Sequence, residues 1–162
     1  MVAMRHAGHD MHIKILCVGR MKDGPERAMV DDYLHRAART GKPLGIRSVE
    51  EVEVEAGGGK GKEAERLLAK AGTARLIRLD ERGKQTPSVE FSRKLAQWRD
   101  NGEDVVFLIG GADGFDASVK ESAPDAICFG VQTWPHKLVR VLIAEQIYRA
   151  LSIEAGTPYH RA

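Results

Sequence analysis

Two cysteines, Cys17 and Cys128, each inside an apolar run and neither in a CxxC pair, leave no disulfide scaffold and no thiolate zinc site. No apolar stretch approaches the roughly 18 residues that span a bilayer, so no membrane partner is expected. The charge is nearly balanced, 25 Lys and Arg against 23 Asp and Glu for a net of +2, too weak a field to coat nucleic acid by charge alone. Any RNA must therefore be gripped locally. The first ten residues, MVAMRHAGHD, lack the apolar core of a secretory signal, and Met11 stands immediately before the first strand-like run. Residues 1–10 are expected to be a disordered extension and a reducing cytoplasm the compartment. The chain of 162 residues, 43% of them hydrophobic, can bury one sizeable core but has little material for two, so residues 11–162 are read as one domain.

What is present alternates strand and helix signals. HIKILCV (12–18) is a β-branched run closed by Gly19, a buried strand. GPERAMVDDYLHRAART (24–40) opens with a proline in its first turn and sets Met29, Tyr33, Leu34 and Ala37 at helical spacing. IRSVEEVEV (46–54) places Val52 and Val54 on one face and Glu51, Glu53 and Glu55 on the other, a half-exposed edge strand. GGGKGK (57–62) reads as a flexible basic loop before a short helix to Gly72. ARLIRLD (74–80) is a strand followed by the loop ERGKQTPS, and a helix runs from about 87 to 101. DVVFLIG (104–110) is apolar throughout, as a central parallel strand is. Asp116 or Ser118 caps a brief helix, AICFGVQ (126–132) is a fifth strand, and the last helix covers 137–152. The pattern predicts an α/β domain with a largely parallel sheet flanked by helices.

The last helix is apolar almost all round, with Leu138, Val141, Leu142 and Tyr148 on one side and Val139, Ile143, Ile147 and Leu151 on another. Its second face is expected to bury against another subunit. Glu145 and Arg149 have i,i+4 salt-bridge spacing.

The two familiar phosphate loops fail. A Walker A loop ending at Lys62 would need glycine at Ala56 and a hydroxyl at Glu63, and IGGADGF has Ala112 where a dinucleotide fingerprint has its second glycine. LIGGADGF still offers bare backbone at the carboxyl end of a central strand, where open α/β sheets bind ligands. FGVQTWPHKLVR (129–140) repeats that arrangement one strand later. His6, His9 and His12 lack supporting cysteines, and no metal is expected. Trp98 is read as core, and Trp134 as either core or functional. Gly57–Lys62 with Arg66 and Lys70 makes a phosphate-contacting patch, with a solvated helix face as the plainer account.

LIGGADGF (108–115), PHKLVRVLIAEQIYRALSI (135–153) and PYHRA (158–162), in that order, resemble the ribosomal RNA large subunit methyltransferase H family, bacterial enzymes of the SPOUT class. IKILCVGRMKDGPE, LIRLDERGK and Trp98 extend the resemblance over about residues 12–162. Residues 1–10 have no place in it, and residues 40–60 follow it loosely.

The resemblance implies a SPOUT-type fold with a C-terminal trefoil knot, a homodimer, and methyl transfer from S-adenosylmethionine to N3 of a pseudouridine in 23S rRNA. The cofactor-binding positions it implies are Leu79, Gly110, Phe129, Gly130, Val131, Gln132, Thr133 and Trp134. The last six depart in side chain from commoner versions, which matters little where main-chain groups make the contacts. N3 of a pseudouridine carries a proton near neutrality, so transfer requires its removal and stabilisation of the charge left on the ring. Tyr159 is expected to position the base, His160 to assist deprotonation, and Arg161 to stabilise the developing anion or hold a flanking phosphate. Glu145 and water are the alternative proton acceptors. A short tail beyond a dimer-forming helix can complete the partner's site. The modest net charge fits assembled ribosomes rather than naked rRNA as substrate. Two other readings stand beside this one, a non-catalytic ribosome-binding or assembly factor and a SPOUT methyltransferase of another RNA nucleotide.

Overall fold

A computed structural model describes residues 10–161 of the chain. Five strands, β1 (Met11–Val18), β2 (Ile46–Val54), β3 (Arg75–Gln85), β4 (Val105–Ile109) and β5 (Ala126–Cys128), form one sheet in the order β2-β1-β4-β3-β5. Every pairing in it is parallel. The helices are α1 (Pro25–Gly41), α2 (Gly59–Ala71), α3 (Ser88–Asp100), α4 (Ala117–Ser122) and α5 (His136–Ala155). The α/β class, the central place of β4 and the edge position of β2 agree with the sequence reading. Of the expected extension, residues 1–9 lie outside the described residues, and Asp10 accepts a hydrogen bond from Arg47 at 3.2 Å.

Because side chains alternate along a strand, each central strand feeds two cores. Met11, Ile13, Ile15 and Cys17 of β1 join Val105, Phe107 and Ile109 of β4 in one cluster, covered by α1, α3 and α5. Leu16, Val18, Val106 and Leu108 face the other way, under α2 and α4. Burial pushes the Cys17 thiol up to about 12, so it is a packing group and not a nucleophile.

Two boundaries and one core placement differ from the sequence reading. Helix α2 begins at Gly59 instead of Lys62, because Arg66 donates to the carbonyls of Glu55 and Gly57 and Glu63 accepts from the Gly57 N–H, which pins the glycine run. Strand β5 stops at Cys128, and residues 129–135 form a loop. Met29, placed on the core face by spacing, is 45% exposed, and Val30 is buried in its stead.

The larger correction concerns β2. Alternation assigned Glu51 and Glu53 to a solvent face, yet the Glu51 side chain is only 9% exposed. Both lie beneath α1 and α5, where Arg140, 2% exposed, donates to Glu51 at 3.3 Å and to Glu53 at 2.5 Å. The other arm of Arg140 donates to the carbonyl of Gly19 at 2.6 Å, and Arg27 of α1 pairs with the same two carboxylates. Among the polar atoms of the Arg140 side chain, only Nε has no partner. Glu53 also accepts the Met21 N–H at 2.7 Å, so one cluster ties the first turns of α5 to the carboxyl ends of β1 and β2.

Strand β3 is longer than expected because it resumes after a bulge. Leu79 and Lys84 both lie opposite Ile127 of β5, so Asp80–Gly83 swing out of register. Asp80 holds the bulge by pairing with Arg78 at 2.6 Å and accepting the Arg82 N–H at 3.0 Å. At Gly83 the two backbones touch. A β-carbon there would stand 2.6 Å from the Ile127 carbonyl carbon, so only glycine fits.

Arg140→Ala should cost about 3 kcal/mol in urea unfolding, since it breaks a buried ion cluster, leaving the part-buried Glu51 and Glu53 to Arg27 alone among cations and removing the donor to the Gly19 carbonyl. Burial by itself would raise the Glu53 carboxyl, but the Met21 N–H and Arg140 outweigh it and hold it below its ordinary 4.5. The stability this supplies is complete above pH 4.5 and is lost as pH falls through the lower folded value, and Arg140→Ala should shrink that acid-side loss. Gly83→Ala should separate β3 from β5 and lower stability by about 3 kcal/mol, whereas an unchanged urea midpoint would refute the close approach.

Candidate active site

The carboxyl ends of β3, β4 and β5 surround a cavity of about 560 Å³, within the range of small-molecule sites. Three segments build it: the β3 bulge, the glycine loop Gly110–Phe115, and the loop that leads from β5 into α5. Of the residues expected to hold a cofactor, Leu79, Gly110, Phe129, Gly130, Gln132, Thr133 and Trp134 line this one cavity. Val131 does not line it and is 88% exposed. Thr133 donates to Glu81 at 2.8 Å, which ties the loop after β5 to the bulge. Trp134 donates from its indole nitrogen to the Phe129 carbonyl at 3.0 Å and so closes the loop on itself.

The glycine loop owes its composition to what lies behind it. A β-carbon on Gly111 would meet Glu63 Oε1 at 2.9 Å and Val18 at 3.1 Å, so the backbone packs directly on α2 and β1 and leaves the cavity side bare. Asp116, after the loop, caps α4 by accepting the Ser118 N–H at 3.0 Å.

His136, which sequence reasoning passed over, is the first residue of α5 and lines the cavity. Its Nε2 lies 2.6 Å from the Gly110 carbonyl, which can only accept, so Nε2 carries the proton. Burial, and then the nearby Arg140 charge, hold the ring below its ordinary 6.5 against the opposing effect of the Gly110 bond. The neutral ring thus keeps one carbonyl of the glycine loop turned onto the helix and adds no positive charge to the cavity. The available signal was its position, a histidine where the loop from a strand end enters a helix. The bulge residues Asp80, Glu81 and Arg82 were missed because the strand was ended at Asp80. Cys128, beside the cavity, donates its thiol to the Gly83 carbonyl at 3.1 Å.

Three of the four expected catalytic residues, Glu145, Tyr159 and His160, form a separate cluster. Glu145 Oε1 accepts from Arg149 Nε at 2.7 Å and from the Tyr159 hydroxyl at 3.1 Å, and Oε2 accepts from Gln146 at 2.9 Å. Tyr159 packs at a tilt against Tyr148 with ring centroids 4.5 Å apart, under the Arg149 guanidinium at 4.7 Å. Its own burial, with the Tyr33 hydroxyl and Glu145 beside it, raises the Tyr159 hydroxyl well above its ordinary value, so it remains a donor. Arg149 Nη1 lies 3.1 Å from His160 Nδ1; an arginine only donates, which makes Nδ1 the acceptor and puts the ring proton on Nε2. Arg161 is exposed, and none of these four residues lines the cavity. With a rise of 1.5 Å per residue, His136 and the stretch of α5 beneath Tyr159 are separated by about 15 Å.

Other candidates resolve simply. His12 Nδ1 is 2.7 Å from Ser48 Oγ, and His6 and His9 lie outside the described residues. Trp98 packs against the core below Arg75. In the basic patch Arg66 is committed to backbone carbonyls and Lys62 faces Glu65 at 3.5 Å; only Lys60 reaches the cavity. No helix among the described residues is long and apolar enough to cross a membrane.

A glycine-walled cavity at the strand ends of a five-stranded parallel sheet is the setting in which residues 11–160 match the family model described as "Predicted SPOUT methyltransferase". The chain belongs to the SPOUT methyltransferases, and within them to the ribosomal RNA large subunit methyltransferase H family. The protein of that name from Hyphomonas neptunium is 53% identical over 154 residues, covering 94% of this chain and 100% of its own. Its counterpart in Cereibacter sphaeroides is 52% identical, covering 93% and 99%. Among solved structures, the SpoU methyltransferase AviRb from Streptomyces viridochromogenes, in complex with AdoMet, is 13% identical. The match covers 93% of this chain and 60% of that one at a TM-score of 0.43, a general likeness only.

Because folding disfavours the protonated His136 ring, its contribution to stability is complete above pH 6.5 and declines as pH falls through the lowered folded value. His136→Asn, which keeps an N–H donor and does not titrate, should flatten that part of the stability profile. A profile identical to that of the unaltered chain would show that the ring is not the group titrating.

Proposed function

We propose that the protein transfers a methyl group from S-adenosylmethionine to N3 of a pseudouridine in 23S rRNA. It acts on assembled ribosomes in the cytoplasm, as a homodimer in which the Tyr159–Arg161 segment of one subunit completes the cavity of the other. The observation that carries the composite site is the division just described, with a cavity at one end of α5 and the proton-handling side chains some 15 Å along it. The names of the relatives support the RNA target, and the relatives match nearly end to end.

The cavity fits the cofactor. It has the volume of a small-molecule site, bare main chain at Gly110 and Gly111 for polar groups, and Leu79, Ile127 and Phe129 for an apolar body. When bound, S-adenosylmethionine supplies an electrophilic methyl group on a sulfonium. The chain's own work is alignment and proton management. His136 keeps the Gly110 carbonyl turned away, and the Thr133–Glu81 bond holds the loop after β5 closed over the strand ends. Glu145, with both oxygens occupied, anchors the tail and is no free base. His160 can take the N3 proton at Nδ1 only after Arg149 lets go, so engagement of the base by the tail and release of that bond go together. Arg161, exposed, is then the cation available to the negative ring.

Dimerisation has its own support. Val131, Trp134 and Leu138 expose apolar surface at 88%, 38% and 37% around the start of α5, beside the cavity mouth. Further along that face Val141 packs into the domain's own core, while Leu142 stays half-buried.

Labelled methyl from S-adenosylmethionine, offered to ribosomes that lack the modification, should appear after nuclease digestion in N3-methylpseudouridine. Label in a different nucleoside would keep the enzyme class and refute the target. Binding of the cofactor with no label would favour an assembly factor. Removal of residues 159–162 should abolish transfer while cofactor affinity and the dimer persist.

A further inference from the structure

We propose that Lys60, Arg82 and Lys120 form a phosphate-binding rim that holds the sugar–phosphate backbone of the RNA on either side of the nucleoside presented to the cavity. The inference rests on the RNA target argued above and says which groups of this chain carry it. The three cations come from three different elements, the first turn of α2, the bulge of β3 and helix α4, yet all border one cavity. Each is exposed, and none has an ion-pair or hydrogen-bond partner for its charged group among the described residues. Arg27, Arg75, Arg78, Arg99, Arg140 and Arg149, by contrast, are all paired with carboxylates, and it is the gathering of three uncommitted cations at one cavity that distinguishes the rim.

The nearby acids are engaged elsewhere, save that Asp116, whose carboxyl the Ser118 hydrogen bonds hold below its ordinary value, also feels the charge of Lys60. Asp80 is taken by Arg78, Glu81 accepts from Thr133, and Asp116 is occupied as the cap of α4. Asp113 is the one remaining carboxylate of the lining, on the glycine loop. Three uncommitted cations from separated elements exceed what a single small ligand with one carboxylate can use. A nucleic acid strand suits them, because a phosphate lies on each side of every nucleoside. A net charge of only +2 makes the same demand from the other direction, since the chain has no general field with which to attract RNA and must grip it where it acts. Contacts of this kind set register and orientation without reading the base, which leaves base recognition to the tail and the cavity floor.

The test uses Lys60→Ala, Arg82→Ala and Lys120→Ala singly and together, with Lys42→Ala, at the opposite end of the sheet, as control. Association with ribosomes lacking the modification is measured across a salt series, beside cofactor affinity and the kinetics of transfer. The log–log salt slope should fall by about one for each contact removed. The triple variant should raise KM for ribosomes about tenfold or more at physiological salt, with kcat at saturation and cofactor affinity within about twofold of the unaltered protein. A triple variant with the unaltered slope overturns the rim. So does one that loses cofactor affinity instead, which would assign the cations to the cofactor's carboxylate. If the unaltered protein binds ribosomes but labels no 23S rRNA, the target reading fails while the slope still decides the rim.

Discussion

The buried clasp of Arg140 on Glu51, Glu53 and the Gly19 carbonyl is the contact on which the rest of the arrangement depends. An ion cluster of this kind is costly to desolvate and adds little net stability compared with a well-packed apolar core. What it supplies is registration. The clasp starts one turn into α5, so it sets where His136 sits over the glycine loop, and through Glu53 and Met21 it also sets the chain that leaves β1. Apolar packing of α5 on α1 and α3 would tolerate a sliding helix. Fixed hydrogen bonds to one carbonyl and two carboxylates do not.

From that anchor the molecule divides its chemistry along α5. At one end backbone predominates, with bare glycines, a strand bulge and a loop tied down by single hydrogen bonds. At the other, side chains predominate, Tyr159, His160 and Arg149 gathered on Glu145. A cofactor that is bound largely by main chain tolerates changes of side chain in residues 129–134, provided the loop keeps its path. A proton relay has no such freedom, because each donor and acceptor is a particular atom. The same helix that joins the two halves also keeps them about 15 Å apart within one subunit. A second copy is the simplest way to bring them together.

The ordering of the bonds in the tail has mechanistic weight. With Arg149 donating to His160 Nδ1 and Tyr159 donating to Glu145, the side chains proposed to handle the substrate's proton are held by partners within their own chain. A resting state of this form protects the relay from idle reaction and makes substrate engagement an exchange of hydrogen bonds. The exchange costs less than creating a new set, since buried donors and acceptors are never left without partners.

Local pattern settled a good deal of this protein. Alternating apolar runs and helical spacings specified an α/β domain, β4 as its centre and β2 as its edge, and the glycines of LIGGADGF marked the strand end where the cavity lies. PHKLVRV and PYHRA, met in that order, indicated the family, which no periodicity could show. Pattern failed where a residue's role is decided by what approaches from far along the chain. Glu51 and Glu53 alternate as a solvent face does, but Arg140, 89 and 87 residues away, turns that face inward. Asp80 reads as the end of a strand until Ile127 is found opposite both Leu79 and Lys84. His136 reads as a helix start until the Gly110 carbonyl lies at 2.6 Å. Hydrophobic periodicity records whether a side chain leaves water. Which charged or polar partner awaits it inside is a matter of tertiary distance, and only the folded chain decides it.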